Sequence, residues 1–505
     1  MLLLLLAACA LPVDGEVSLP TDAGAWEAPS AAPLPTDFFL VPKTQEALDA
    51  YVAQIHPGSQ ARLTIMESAL NTRPDAVDLE DALAGVDAYL EATRPNLPLL
   101  AGHQTLLFPI AKMPHWLSSS DDLSLHSEWD TWTVANTRPP ADMDTWALLV
   151  ERSVRALKAE YPDTQLAFEV WNEPDIYWTG SQAELLELYT VTSAAILRGD
   201  ETALVGGFGT NQPDGGVGEG PLVPALLDHV QAHDLPLDFV SVHYFGDHPA
   251  SVRRFAQQVD AWKADAGRPD LPVWITEWND TSTFRGSDSQ PASFAAIQAE
   301  MRRQGWQQRY MAAWEDFSEH RDNAGYGLLQ YGGQPKPVTH VHAAMRALQD
   351  GEIQPLSSEQ EEVEGVAGRT AGCTAVLLWR HSPDPIVAAS EVLLDQTTTA
   401  ALEAAYGDET DALLADMEAG DSRDDSLDAA FAAAAEAWAQ AAHDLEVSVV
   451  AQLDLAGAPV ATRLDGEEVE TVDLDRSGPT PSLLLDPNAV VWVESCEDTG
   501  AWLTF

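Results

Sequence analysis

Positive charge is scarce in this chain: 26 Lys and Arg stand against 80 Asp and Glu in 505 residues, a formal net charge of -54. A surface that acidic repels phosphate backbones and anionic headgroups, which argues against nucleic-acid binding through a basic face. It also fits a saline or extracellular setting. Cysteine is nearly absent; Cys9, Cys373 and Cys496 are too few and too scattered to suggest a zinc cluster. The apolar stretch at the start, Leu2 to Ala8, is far too short for a bilayer-spanning helix. The Gly-x-Ser-x-Gly nucleophile elbow is missing. Gly206, Gly207 and Gly209 follow a strand pattern, but no Lys-Ser or Lys-Thr comes after them, so they do not read as a phosphate cradle. His340 and His342 have no third ligand beside them and read as solvated side chains. Neither a metal nor an organic cofactor is expected.

The N-terminal stretch is informative in itself. Leu6-Ala7-Ala8-Cys9 ends an apolar run at small residues, the pattern of a signal peptide. It resembles the bacterial lipobox, in which Cys9 would be lipidated and become the mature N-terminus. A plain secretory signal with an incidental cysteine is the alternative. No basic residues precede the run, which points to a start upstream of Met1. Both readings predict export, as a cell-surface or periplasmic lipoprotein or as a secreted protein, with membrane contact only through a lipid anchor. Residues 10–36, rich in Pro, Ala, Ser and acidic residues, read as a flexible linker.

From 37 to 350 short apolar runs alternate with amphipathic helical patterns, the signature of a parallel α/β sheet. Eight strands are predicted: Phe38–Val41, Ala61–Met66, Thr105–Ala111, Leu166–Trp171, Ala203–Phe208, Phe239–His243, Val273–Thr276 and Arg309–Trp314. Helices are predicted over Leu79–Leu90, Thr145–Ala159, Ala183–Leu197 and Val252–Ala264. That count predicts a (β/α)₈ TIM barrel, with a doubly wound open sheet as the alternative. Residues 351–505 read as a β-sandwich-like domain with strands at Cys373–Arg380, Leu445–Leu453 and Ala489–Glu494, carrying an Ala-rich helical insertion at about 388–443. Cys373 and Cys496 lie beside two of those strands, either as a disulfide or as two buried thiols.

Two strands end in the same way. Leu166–Trp171 runs into Asn172-Glu173-Pro174, and Pro174 cannot continue a central strand. Val273–Thr276 runs into Glu277-Trp278-Asn279. Counted as strands four and seven, they place two carboxylates across the C-terminal mouth of a barrel, where barrel active sites lie. Glycoside hydrolysis needs such a pair, one acid to protonate the leaving oxygen and one carboxylate to attack or to activate water. Apolar surroundings would raise the Glu173 carboxyl and suit it to the acid role.

Asn172-Glu173-Pro174-Asp175, with Trp178 and Gly180, resembles the acid/base motif of clan A glycoside hydrolases, and most of all family 39, which includes β-xylosidases, α-L-iduronidases and exopolysaccharide hydrolases. Thr276-Glu277-Trp278 resembles the clan's nucleophile strand. Asp238 to Tyr244 resembles its sixth strand, Ala313-Trp314-Glu315-Asp316 with Gly332 to Pro337 its eighth strand and closing loop, Met113 to Leu117 its third-strand rim, and Arg62 its second-strand arginine. The resemblance covers roughly residues 60–350 and implies a retaining glycosidase with Glu173 as acid/base and Glu277 as nucleophile, acting on an oligo- or polysaccharide. Asn172 is expected to bind the sugar 2-OH, or else to form an Asx-type turn. Tyr244 is expected to orient Glu277, with a structural tyrosine as the alternative. His115, Trp116 and His243 are expected to line the substrate site. Trp278 and Trp314 are read as sugar platforms, or else as packing. A carbohydrate-binding barrel that does not hydrolyse is the alternative function.

Overall fold

A computed structural model of the chain describes residues 13–19, 37–39, 45–52, 60–63, 76–93, 103–126, 132–212, 215–217, 220–246, 248–280, 285, 289–317, 325–349, 351–357, 363–370, 372–382, 388, 433–434, 436–437, 440, 448–453, 455, 459–466, 469–476 and 481–496. The elements run β1 (Val13–Leu19), β2 (Asp37–Phe39), α1 (Gln45–Val52), β3 (Gln60–Arg62), α2 (Leu79–Thr93), β4 (Thr105–Ile110), α3 (Met143–Glu160), β5 (Gln165–Val170) and α4 (Gln182–Gly199). They continue with β6 (Leu204–Thr210), α5 (Leu222–His233), β7 (Phe239–Phe245), α6 (Pro249–Asp265), β8 (Val273–Asn279), α7 (Gln290–Arg303), β9 (Arg309–Met311) and α8 (Pro337–Leu348). Strands β2 to β9 pair in parallel, and β2 pairs with β9 to close the barrel, which excludes the open sheet. Every residue of β4 is buried, as expected of a strand covered on both faces. Two of the helices start at side-chain caps that the sequence supplies. Asp142 accepts from the Asp144 amide ahead of α3, and Ser181 and Glu184 form a capping box ahead of α4.

Because side chains alternate along a strand, the barrel interior fills in layers. Leu107, Ala167, Phe239, Trp274 and Tyr310 form the lowest apolar layer, with Phe239 and Trp274 stacked at 3.8 Å. The Phe239 ring explains Gly206, where a Cβ would approach it to 2.1 Å. Two residues further along the strands the layer turns polar, with Arg62, Glu169 and Ser241 all buried.

The C-terminal region adds β10 (Glu352–Ser357), β11 (Val363–Arg369), β12 (Cys373–Arg380), β13 (Ser448–Leu453), β14 (Val460–Arg463), β15 (Glu470–Val472), β16 (Ser482–Leu485) and β17 (Val490–Cys496). Six of these make an antiparallel sheet in the order β10-β11-β12-β17-β14-β15, and β1-β13-β16 make a second sheet. The central strands of the larger sheet, β11, β12 and β17, are buried on both faces. Ala375, Leu377, Trp379, Val490 and Trp492 pack into the barrel core, while Val376, Leu378, Val491 and Val493 face the sandwich core with Ala451, Leu483 and Leu485. Cys373 and Cys496 pair directly in register across β12 and β17 and are joined as a disulfide. That bond closes a loop between residues 123 apart. In the chain-entropy account a loop on the order of 100 residues is worth about 4.7 kcal/mol. Reduction, or Cys373→Ser, is therefore expected to lower the thermal midpoint, read by calorimetry, while leaving kcat of the still-folded protein unchanged.

One expectation needs correction. Val13–Leu19 falls inside the segment read as a flexible linker, yet it forms β1, paired in parallel with β13. Its partner lies more than 400 residues away, so no local pattern announces it. Cys9, and nearly all of the Ala-rich insertion at 388–443, lie outside the described residues. Among the described residues no helix is long and apolar enough to cross a membrane.

Candidate active site

The site is built on the C-terminal ends of β3, β5, β7 and β8. After Val170 the chain leaves β5 through two left-handed residues, Trp171 (φ 71°) and Glu173 (φ 46°). The Glu173 amide is held by the Gly209 carbonyl at 2.8 Å. Left-handed backbone at a non-glycine residue costs on the order of 1–3 kcal/mol and persists only where the surroundings over-determine it. Here it turns the Glu173 side chain over the mouth instead of along the strand.

Glu277 is aimed by a different device. Val242 pairs with Ile275 but His243 pairs with Glu277, so Thr276 is an extra residue in β8. A bulge of this kind re-aims the side chain that follows it. As a result Thr276 and Glu277 both reach interior partners: Thr276 Oγ1 lies 3.0 Å from Ser241 Oγ, and Glu277 meets Arg62.

Arg62 organises the floor of the site. Its guanidinium donates to Glu277 Oε1 at 2.5 Å, to Glu169 Oε1 at 2.8 Å and to Asn172 Oδ1 at 2.6 Å. The fork geometry of Arg permits three acceptors in one plane, which a Lys could not serve. With Oδ1 of Asn172 committed to Arg62, its Nδ2 is the donor end of the amide. Glu169 is fully buried and also accepts a short hydrogen bond from Ser241 Oγ. Burial works against its charge, but Arg62 and then His243 outweigh burial and hold its carboxyl below the usual range. Gly209 has φ +28°, and a Cβ there would come within 2.8 Å of the Glu169 carboxyl carbon. The glycines of β6 therefore make room for a ring and a carboxylate, not for a phosphate.

His243 is fully buried, with Nδ1 at 3.1 Å from Glu173 Oε1 and 4.0 Å from Glu277 Oε2. Burial opposes its protonation, but Glu277 and Glu173 outweigh burial and raise it above the ordinary histidine value. One oxygen of each glutamate and a His243 ring nitrogen all lie within 4.8 Å of one another. Among the described residues this trio is also the group placed closely enough to face a metal ion. The apolar surroundings expected for Glu173 are not found: its carboxylate faces His243 and is 14 % exposed, beside Glu277 at 13 %.

Other expected site residues fall elsewhere. Tyr244 alternates with His243 and points out of the barrel, donating to the His248 carbonyl, contacting Ser251 Oγ and meeting the Phe255 ring edge-on. Trp278 alternates with Glu277 in the same way and stacks on Phe294, with no exposed surface. Trp314 is 1 % exposed, donates Nε1 to the Ala47 carbonyl and packs on Phe38 and Tyr51. None of the three offers a face to a sugar. His342, read as solvated, is buried against Phe38. His115 and Trp116 sit on a 3-10 turn after β4 and stay partly open, with His115 Nε2 at 2.9 Å from Thr133 Oγ1. Two residues at the heart of the network were missed as site residues or only lightly marked. Glu169 gave a signal, a charge inside an otherwise apolar strand, while Arg62 sits on a strand of three residues.

Comparison with known proteins adds to this geometry. Across 191 residues the chain is 28% identical to the "Beta-xylosidase" of Caldicellulosiruptor saccharolyticus, a match over 34% of this chain and 36% of that protein. The chain thus aligns with about a third of that curated relative's length. Its fold superposes on a monomeric beta-xylosidase from Caulobacter crescentus with a TM-score of 0.61 at 17% identity, covering 95% of this chain and 99% of the other. It also superposes on a glucosidase from Croceicoccus marinus with a TM-score of 0.58 at 17% identity, covering 96% and 100%. The profile described as Glycosyl hydrolases family 39 matches residues 107–395, more than half of the chain. The matched span carries the strands that hold Glu169, Glu173, His243 and Glu277, and on it the chain belongs to glycosyl hydrolases family 39.

Proposed function

We propose that the protein is a retaining glycosidase in which Glu173 is the acid/base and Glu277 the nucleophile. One observation carries the reading: oxygens of two glutamates on the ends of β5 and β8 face each other within 4.8 Å at the barrel mouth. Retaining enzymes hold their carboxyl groups about 5–5.5 Å apart, whereas inverting enzymes leave about 6.5–9.5 Å for a water. Glu173 gives its proton to the glycosidic oxygen as Glu277 attacks the anomeric carbon; the C–O bond breaks and a glycosyl ester forms. Glu173, now a carboxylate, takes a proton from water, which attacks the same carbon and releases Glu277. Asn172 donates to the neighbouring hydroxyl. Arg62 and His243 orient the two carboxylates.

The test is a panel of aryl glycosides (xyloside, arabinoside, glucoside, galactoside, glucuronide and iduronide), with the first-formed anomer followed by NMR. Release with retained configuration supports the reading. Inversion, or tight glycan binding with no turnover on these or on polysaccharides, would sink it. The relatives' names, a xylosidase and a glucosidase, put xyloside and glucoside first. Export as a lipoprotein through Cys9 belongs to the same proposal and rests on Leu6-Ala7-Ala8-Cys9.

A pH profile follows from the same groups. Burial pushes the Glu277 carboxyl up, and Glu173 and Glu169 add to that push against Arg62 and His243. The nucleophile must be ionised, so activity is lost as pH falls through a value above the ordinary glutamate figure of about 4.3. His243 holds its proton above about 6.5. The alkaline limb, where His243 gives up its proton, is expected above that value. Profiles of kcat/KM from pH 3 to 10 check both limbs.

A further inference from the structure

We infer that Asp175 is a positioning residue for the acid/base: it locks the Gly-rich segment after β6 against the turn that carries Glu173, and so fixes the aim of the Glu173 carboxyl. The inference rests on the reading of Glu173 just given and deepens it. Asp175 is the second residue of a one-turn helix, Pro174–Tyr177, capped by Glu173 in its left-handed conformation. Its carboxylate accepts from two successive backbone amides beyond β6, Asn211 at 2.9 Å and Gln212 at 3.1 Å. The segment is shaped to this carboxylate. A Cβ at Gly215 would come within 2.2 Å of Asp175 Oδ2, and one at Gly216 within 2.1 Å of the Gly220 carbonyl oxygen. The Gly215 amide turns back to the Gln212 carbonyl, and Leu222 donates to Gly215. Burial pushes the Asp175 carboxyl up while the two amides pull against it, so those amides help to keep it charged.

The mechanical consequence concerns Glu173. Its left-handed backbone is unfavourable alone, and it is held from two sides by β6 and the residues that directly follow it. On one side the Glu173 amide bonds to the Gly209 carbonyl. On the other, two residues later, Asp175 bonds to Asn211 and Gln212. Removing the second tether frees one side of the turn, and a relaxed turn swings the carboxyl away from the glycosidic oxygen. The nucleophile, on β8, shares none of these bonds.

The experiment compares kcat/KM for wild type, Asp175→Ala, Asp175→Asn and Glu173→Gln across aryl glycosides whose leaving groups range from 2,4-dinitrophenol to phenol. Poor leaving groups need the acid and activated ones do not. If Asp175 acts through Glu173, Asp175→Ala loses about 10²-fold with the phenyl glycoside and less than threefold with the dinitrophenyl one. Asp175→Asn, which puts an amide against two amide donors at some angle of its side chain, follows the same slope more mildly and serves if the Ala variant does not fold. Equal losses on every leaving group, or none, would overturn the assignment while leaving the site reading intact. Glu173→Gln with wild-type rates on phenyl glycosides would overturn both.

Discussion

Glu277→Ala is expected to lower kcat/KM by at least about 10⁴-fold, because the covalent route disappears with its nucleophile and water has no second carboxylate to activate it. The fold should survive. Glu277 is 13 % exposed at the mouth, and its loss still leaves Arg62 bonded to Glu169 and Asn172. The vacated space lies beside the anomeric carbon, so added azide should restore turnover of an activated aryl glycoside and yield a glycosyl azide of inverted configuration. Mass spectrometry and NMR read that product directly. A variant that keeps more than a tenth of its activity without azide would remove Glu277 from the role.

The second large effect is expected at Glu169, which has no exposed surface. Among the described residues, Glu169→Gln removes one of the two carboxylates paired with Arg62. Breaking a buried ion pair from one side costs about 3–5 kcal/mol, with Gln toward the lower end because its oxygen can still accept from Arg62. The informative readout is the pH profile. With position 169 neutral, no charge there competes with Glu277 for Arg62, and a like charge is removed from beneath the nucleophile. Both changes pull the Glu277 carboxyl down, so the acid limb of kcat/KM should move to lower pH. A carboxylate held more firmly in its charged form attacks less readily, and kcat should fall about 10²-fold. A fall in kcat with the acid limb unmoved would mean that Glu169 supports the fold alone.

The two glutamates were legible because each ends an apolar run at the point where a barrel strand meets its loop. The eight strands were legible for a similar reason: strands covered on both faces read as continuous apolar stretches. What the sequence hid was direction. Tyr244 and Trp278 adjoin His243 and Glu277 in the chain, and adjacency invited a shared role. In a pleated strand adjacent side chains face opposite ways, and both aromatics stand on the outer face, against α6 and α7. The bulge at Thr276 is set by pairing with β7, and such a pairing leaves no mark in one strand's own residues. Glu169 was hidden by its setting, since Leu166-Ala167-Phe168-Glu169-Val170 still reads as a strand. A carboxylate at an interior position of such a strand demands a buried cation, and Arg62 is that cation.

Strand β1 bears on how the protein would sit in its surroundings. Only three residues separate Cys9 from Val13, the first residue of β1, a reach of at most about 14 Å of extended chain. With lipid on Cys9, the sandwich would therefore rest close against the bilayer, and the barrel would have no long leash on which to swing. A chain begun at residue 37, trimmed on the assumption that everything before it is tether, would strip β1 from β13. It would bare the edge of β13 that β1 covers, a ready template for joining one molecule to the next.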